Sequence, residues 1–238
     1  MGGVRTPIER VRAALGAEPR VGLHAIHLAI SDGVLTMAGV VAEVAAKKLA
    51  LERAAAVPGV HHIVDRIRIQ PARAMTDADV RDHLCRSLLD EPALRGVSVR
   101  QRDGRLTRVL REAGTAVVDV EVVDGVVTLS GAVPGLAHKR LAGVLAWWVP
   151  GTRDVVNGLE VIPAERDSDD DMADAVRIAL EKDPLVDASG IRASVRGAAV
   201  TLAGAVSSAE QREMAEADAW YVFGVDAVTN RLEVRPGR

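Results

Sequence analysis

Aromatic residues are almost missing: three tryptophans, one tyrosine and one phenylalanine make up 2% of 238 residues. A core built on packed rings is excluded, so aliphatic side chains and alanine must fill it. The single cysteine, Cys85, rules out an internal disulfide and the stapled frameworks of small secreted domains. No apolar run reaches the roughly 20 residues of a membrane-spanning helix, and Met1 to Leu15 reads as an amphipathic helix rather than a signal peptide. The expected compartment is therefore the cytoplasm, with a membrane-peripheral position open and a periplasmic one requiring a removed leader. Basic charge is also short. Thirty Lys and Arg against 33 Asp and Glu give a net charge of -3, so no global field recruits nucleic acid. What remains, 48% hydrophobic and 26% charged residues, is the composition of an ordinary folded protein.

The chain repeats itself. Asp32-Gly-Val-Leu-Thr-Met-Ala-Gly39 returns as Asp124-Gly-Val-Val-Thr-Leu-Ser-Gly131, and more loosely as Gly197-Ala-Ala-Val-Thr-Leu-Ala-Gly204. A second glycine follows each copy 20 residues on, at Gly59, Gly151 and Gly224, and Ile67, Leu159 and Leu232 stand eight beyond it. Upstream, an acid-proline pair recurs as Glu18-Pro19, Glu91-Pro92 and Asp183-Pro184. Pro19 to Gly39 and Pro184 to Gly204 span 20 residues but Pro92 to Gly131 spans 39, so copy two carries a 19-residue insertion at about 97–115.

Each copy has one pattern. Val11 and Leu15, Leu84 and Leu88, and Val176 and Leu180 are spaced i, i+4, marking an amphipathic helix that stops at the acid-proline pair. Asp77, and Ser168 or Asp169, are the expected N-caps of the second and third of these helices. Ile26/Leu28/Ile30, Val118/Val120/Val122 and Ile191/Ala193/Val195 alternate as half-buried strands do. Tight turns are expected at Asp32-Gly33, Asp124-Gly125 and Arg196-Gly197, then a second strand, a second helix and a third strand. The second helix should face its sheet through Ala50, Ala54 and Val57, through Ala142, Ala146 and Val149, and through Ala215, Ala219 and Val222. The expected fold class is α+β: three tandem αββαβ modules, each a small three-stranded mixed sheet packed against two helices. Their expected bounds are 1–71, 75–163 and 168–236, joined by short linkers. A unit this small holds a thin core and gains from docking on its neighbours.

The acid-proline pair, the Asp-Gly-Val-Val-Thr-Leu-Ser-Gly hairpin, the Pro-Gly and the final Val155–Val161 and Val228–Val234 segments together resemble the BON domain of bacteria. Copy one departs with Asp65 where the others have Asn157 and Asn230, and copy three with Ala198 at the turn's second position. The resemblance implies a non-catalytic attachment module, found in envelope and stress-response proteins and associated with phospholipid contact. It implies no active site and no cofactor.

Candidate contacts follow from the outliers. All five aromatics fall in Trp147-Trp148 and Trp220-Tyr221-Phe223, at the end of the second helix in copies two and three. At 100° per residue, Arg140, Val144 and Trp147 share the stripe facing away from the sheet. With Trp148, Trp220 and Tyr221 they form a candidate binding surface for a phospholipid membrane or a protein partner. The competing reading wedges these rings between copies, a form of inter-repeat self-docking. Five arginines in the insertion, Arg100, Arg102, Arg105, Arg108 and Arg111, form an anion-binding candidate, since guanidinium offers a planar fork to phosphate. Their spread around Asp103-Gly104 suggests a long hairpin or a solvated loop. His24-x-x-His27 and His61-His62 cannot each ligate one metal from a regular strand, and Cys85 lacks an activating partner, so no metal site is expected. Asp167-Ser-Asp-Asp-Asp171 lacks the glycine and glutamate of a calcium loop and reads as a polar linker feeding a capped helix. The leading reading is thus an adaptor contacting a phospholipid surface or a protein partner. The alternative is a cytosolic module sensing a small ligand or ion through backbone carbonyls.

Overall fold

A computed structural model describes residues 6–21 and 26–235, which form two compact units that divide between Gln70 and Pro71. In the first unit, Thr6 caps helix α1 (Pro7–Gly16) in a capping box with Glu9, and Val11 and Leu15 face inward. Strands β1 (Ile26–Ser31) and β2 (Val34–Val41) form an antiparallel hairpin. Helix α2 (Val44–Ala55) then crosses over, so that β3 (His62–Ile69) returns parallel to β2. Leu35, Met37, Ala50, Ala54 and Ile67 lie at the centre of this core, all fully buried.

The second unit holds copies two and three. Copy two runs α3 (Asp77–Asp90), β4 (Ser98–Asp103), β5 (Leu106–Arg111), β6 (Val117–Val123), β7 (Val126–Val133), α4 (Leu136–Trp147), β8 (Asp154–Asn157) and β9 (Glu160–Val161). Copy three runs α5 (Asp169–Lys182), β10 (Ile191–Arg196), β11 (Ala199–Val206), α6 (Ala209–Tyr221) and β12 (Ala227–Val234). Copies one and three have the expected three-stranded mixed sheet. Copy two differs: its insertion folds as the β4–β5 hairpin and extends the sheet to β5-β4-β6-β7-β8, with β9 also on β7. The added strand β4 lies parallel to β6, pairing Ser98–Gln101 with Val117–Val120.

The alanine stripes of α2, α4 and α6 meet their sheets as expected; Ala142, Ala146, Ala215 and Ala219 are fully buried, as are Ala50 and Ala54. With only a methyl group at the contact, helix and sheet approach closely and valine and leucine fill the flanks.

Two local expectations need correction. Thr76, not Asp77, caps α3, while Ser168 caps α5. The Asp77 carboxylate instead accepts the Asp124 and Gly125 amides, each at 2.8 Å, and Asp169 accepts the Gly197 amide at 2.9 Å. Each acid ties its helix to the distant hairpin turn. The turn of copy three is Gly197-Ala198 rather than Arg196-Gly197, because Arg196 pairs with Ala199. Both of its central residues have positive φ, 54° and 64°, matching Asp124 (53°) and Gly125 (74°). A turn with both central φ positive follows the strand twist, and Ala198 adopts it despite its Cβ.

The departure at Asp65 is compensated locally. Asn157 and Asn230 each donate to a carbonyl of the preceding helix, that of Lys139 at 2.8 Å and that of Arg212 at 2.9 Å. An aspartate cannot donate; in copy one Lys47 supplies the donor, reaching Asp65 at 2.9 Å and the Ile67 carbonyl at 2.9 Å.

Candidate functional site

The outer stripe of α4 is the seam between copies two and three. Arg140 is only 2% exposed, and Val144 and Trp220 are buried with it. Arg140 Nε donates to the Phe223 carbonyl at 3.1 Å, and its terminal nitrogen pairs with Asp167 at 2.6 Å. The Trp147 ring stacks on Tyr221 with centroids 5.8 Å apart, and Trp148 Nε1 donates to Asp218 at 2.8 Å. Lys139 sits 4.3 Å over the Phe223 ring. At the other end of α5, Lys182 holds both oxygens of Glu91, the acid of the copy-two acid-proline pair, at 3.0 Å.

The expected exposed surface at Arg140, Val144, Trp147, Trp148, Trp220 and Tyr221 is thereby corrected. Arg140, Val144 and Trp220 are buried, and Trp147, Trp148 and Tyr221 are half-buried against the neighbouring copy. The angle from the sheet was right, but it pointed the stripe at copy three instead of water. Asp218 carries no signal in the sequence and Glu91 only that of its acid-proline pair, because each finds its seam partner only across copies.

A groove of about 860 Å³ runs between α4 and α5, floored by Leu141, Val144, Ile178 and Ala179. Much of its charged rim is already committed: Lys182 to Glu91, and Glu165 to the Leu136 amide at 2.7 Å, at the start of α4.

The five arginines divide into two classes. Arg100 makes a two-point pair with Asp119, at 2.6 and 3.0 Å. Arg111 is a staple: it donates to the carbonyls of Val97 (2.9 Å), Leu89 (3.0 Å), Leu88 (3.4 Å) and Leu94 (2.6 Å). These two hold the hairpin to its sheet and close the C-terminal end of α3, whose last carbonyls have no helical partners. Arg102, Arg105 and Arg108 point to solvent around the hairpin tip. They share it with Leu106 and Val109, 75% and 54% exposed. The hairpin is anchored rather than loose, since Gln101 bonds Asp82 at 2.8 Å and Arg81 reaches Asp103 at 3.5 Å.

Burial, with Asp82 adding to it, pushes the Cys85 thiol up to about 11, where it is protonated and inert. His27, His61 and His62 belong to no cluster able to hold a metal among the described residues, and His24 lies outside them. Of the acidic run, Asp167 pairs with Arg140, Asp169 holds the hairpin turn and Asp171 bonds Ser168 at 2.6 Å. No helix among the described residues is long and apolar enough to cross a membrane.

A family model, the BON domain, matches residues 8–71, 98–163 and 168–236. No curated protein matches the chain. Among solved structures, the C-terminal domain of CdsD, the structural protein of the type III secretion system of Chlamydia trachomatis, is 14% identical and aligns with 99% of this chain and 100% of its own, with a TM-score of 0.27. A second CdsD structure is also 14% identical, covering 97% of this chain and 92% of its own, with a TM-score of 0.26. Superpositions that poor carry no argument about arrangement or role. With the αββαβ unit recurring three times and the family model spanning most of the sequence, the chain belongs to the BON domain family, a family of phospholipid- or protein-binding modules.

Proposed function

We propose that this protein is a non-catalytic adaptor that contacts anionic phospholipid surfaces through the tip of the β4–β5 hairpin. The observation that carries this reading is the composition of the tip: three solvent-facing arginines beside exposed Leu106 and Val109, with Val109 on the face of Arg102 and Leu106 on that of Arg108. Guanidinium groups bind phosphate head groups, while an aliphatic side chain beside them enters the acyl boundary. Neither property helps a solvated loop. The anchoring of the hairpin by Arg111, Arg81 and Gln101 supports the reading further, because a preorganised tip loses little entropy on binding.

The test is flotation of the full chain with phosphatidylcholine vesicles containing phosphatidylserine, compared with phosphatidylcholine alone. Each surface arginine contributes about 1 kcal/mol against an anionic leaflet. The triple variant R102E/R105E/R108E should therefore bind at least a hundredfold more weakly, since three such terms exceed the roughly 2.8 kcal/mol of that ratio. Binding that is equal on the two vesicle types, or unchanged in the triple variant, overturns the proposal.

A further inference from the structure

At the foot of the seam two carboxyl groups are buried together. Asp218 is 2% exposed and Asp183 9%. Asp218 lies in the last turn of α6 and Asp183 caps the end of α5, so both stand where a helix dipole disfavours negative charge. Asp218 Oδ1 accepts the Trp148 indole from α4 at 2.8 Å, while Oδ2 is buried, meets no donor, and faces the Asp183 carboxyl. Asp183 uses Oδ1 to accept the Leu185 amide at 2.8 Å.

Among the described residues, neither carboxyl is ion-paired with a cation. The basic side chains of the seam are committed elsewhere, Arg140 to Asp167 and Phe223, and Lys182 to Glu91. On α6 itself Glu216 accepts from Asn230. Strand β11 carries no charged side chain, and Arg231 and Glu233 of β12 lie exposed, flanking buried Leu232.

We propose that one proton shared by Asp183 and Asp218 latches copy three against Trp148 of copy two, and that losing it loosens the seam. With the proton present, an O–H of one carboxyl donates to the other. Without it, two anions meet in a dry site, and the relief open to Asp218 is to turn toward water past the indole that covers it. Burial, outweighing the Trp148 donation that acts in the opposite direction, pushes Asp218 up to about 8, and Asp183 adds to that rise. A carboxyl raised in the closed state favours closure at low pH. The latch is complete below the ordinary aspartate range, weakens as pH rises, and is lost above about 8. Within that window the ratio of closed to open seam falls about tenfold per pH unit.

Trp147 and Trp148 meet copy three at this seam and Trp220 is buried in the last turn of α6 near Asp218, so tryptophan emission in the full-length protein reads it. The urea midpoint of the emission change should fall between about pH 5 and about pH 8 in the wild type and level off above it. It should stay level in Asp218→Asn, whose amide donates to Asp183 at every pH while its oxygen still accepts Trp148. Asp183→Asn is a second variant, should the first not fold; it should make the slope shallower without removing it, because Asp218 stays buried. A wild-type midpoint that does not move with pH overturns the proposal, as does a variant that keeps the wild-type slope. A pH effect on amide exchange in β10, β11 and β12 without any change in tryptophan emission also overturns it, by placing the pair's effect inside copy three alone.

Discussion

Replacing Arg140 with methionine tests the seam most directly. Methionine keeps the length and apolar bulk of the arginine stem, so the change removes the guanidinium and little else. Two charge-assisted hydrogen bonds disappear, and each is worth about 1.5–3 kcal/mol when its partner stays buried. The partners are unequal. Asp167 is 44% exposed, so water takes over much of its solvation and its loss counts for about 1 kcal/mol. The Phe223 carbonyl loses a charged donor at the seam, which costs about 1–3 kcal/mol. The expected cost of Arg140→Met is therefore about 3 kcal/mol, a factor of roughly a hundred in the folded ratio. Asp167→Asn should cost no more than about 1 kcal/mol, because its carboxylate is half in water. Urea unfolding followed by tryptophan emission measures both. A cost below about 0.5 kcal/mol for Arg140→Met, the range of an ordinary surface substitution, would refute a seam organised around this side chain.

Arg111→Met should cost about 3 kcal/mol, since four carbonyls at the end of α3 and the loop after it lose their donor. Arg105→Met, at the hairpin tip, should cost less than about 0.5 kcal/mol, and equal costs for the two in chemical denaturation would contradict the division of the arginines into anchors and free contacts. Ala198→Gly should stabilise the chain by about 0.5–1 kcal/mol, because relief of a positive φ outweighs the added freedom of glycine when unfolded. A lower melting temperature in that variant would show that the alanine methyl makes a contact worth more than the strain.

Local elements were legible because each copy carries its own signals within a few residues. The i, i+4 pairs marked α1, α3 and α5, and period-two runs marked β1, β6 and β10. The alanine stripe of α4 predicted its sheet-facing side correctly, since side-chain direction on a helix depends only on sequence position. Where a local reading failed, a distant group competed for the same side chain. Asp77 reads as a cap but bonds the hairpin amides 47 and 48 residues away. The insertion read as a long hairpin or a solvated loop, because its arginines look alike until Asp119 and the carbonyls around α3 are placed beside them.

By itself the sequence determined three αββαβ copies and the sheet face of every second helix. These depend on periodicity, turn chemistry and repetition, all of which act within a copy. Only the tertiary structure decided which candidate surface stayed exposed. The outer stripe of α4 has one composition whether it meets water, membrane or another copy, and hydrophobic burial has no direction of its own. Asp167, Asp218 and Phe223 come from beyond copy two, and their arrival turned an apparent contact surface into a buried seam, leaving Arg102, Arg105 and Arg108 exposed at the tip.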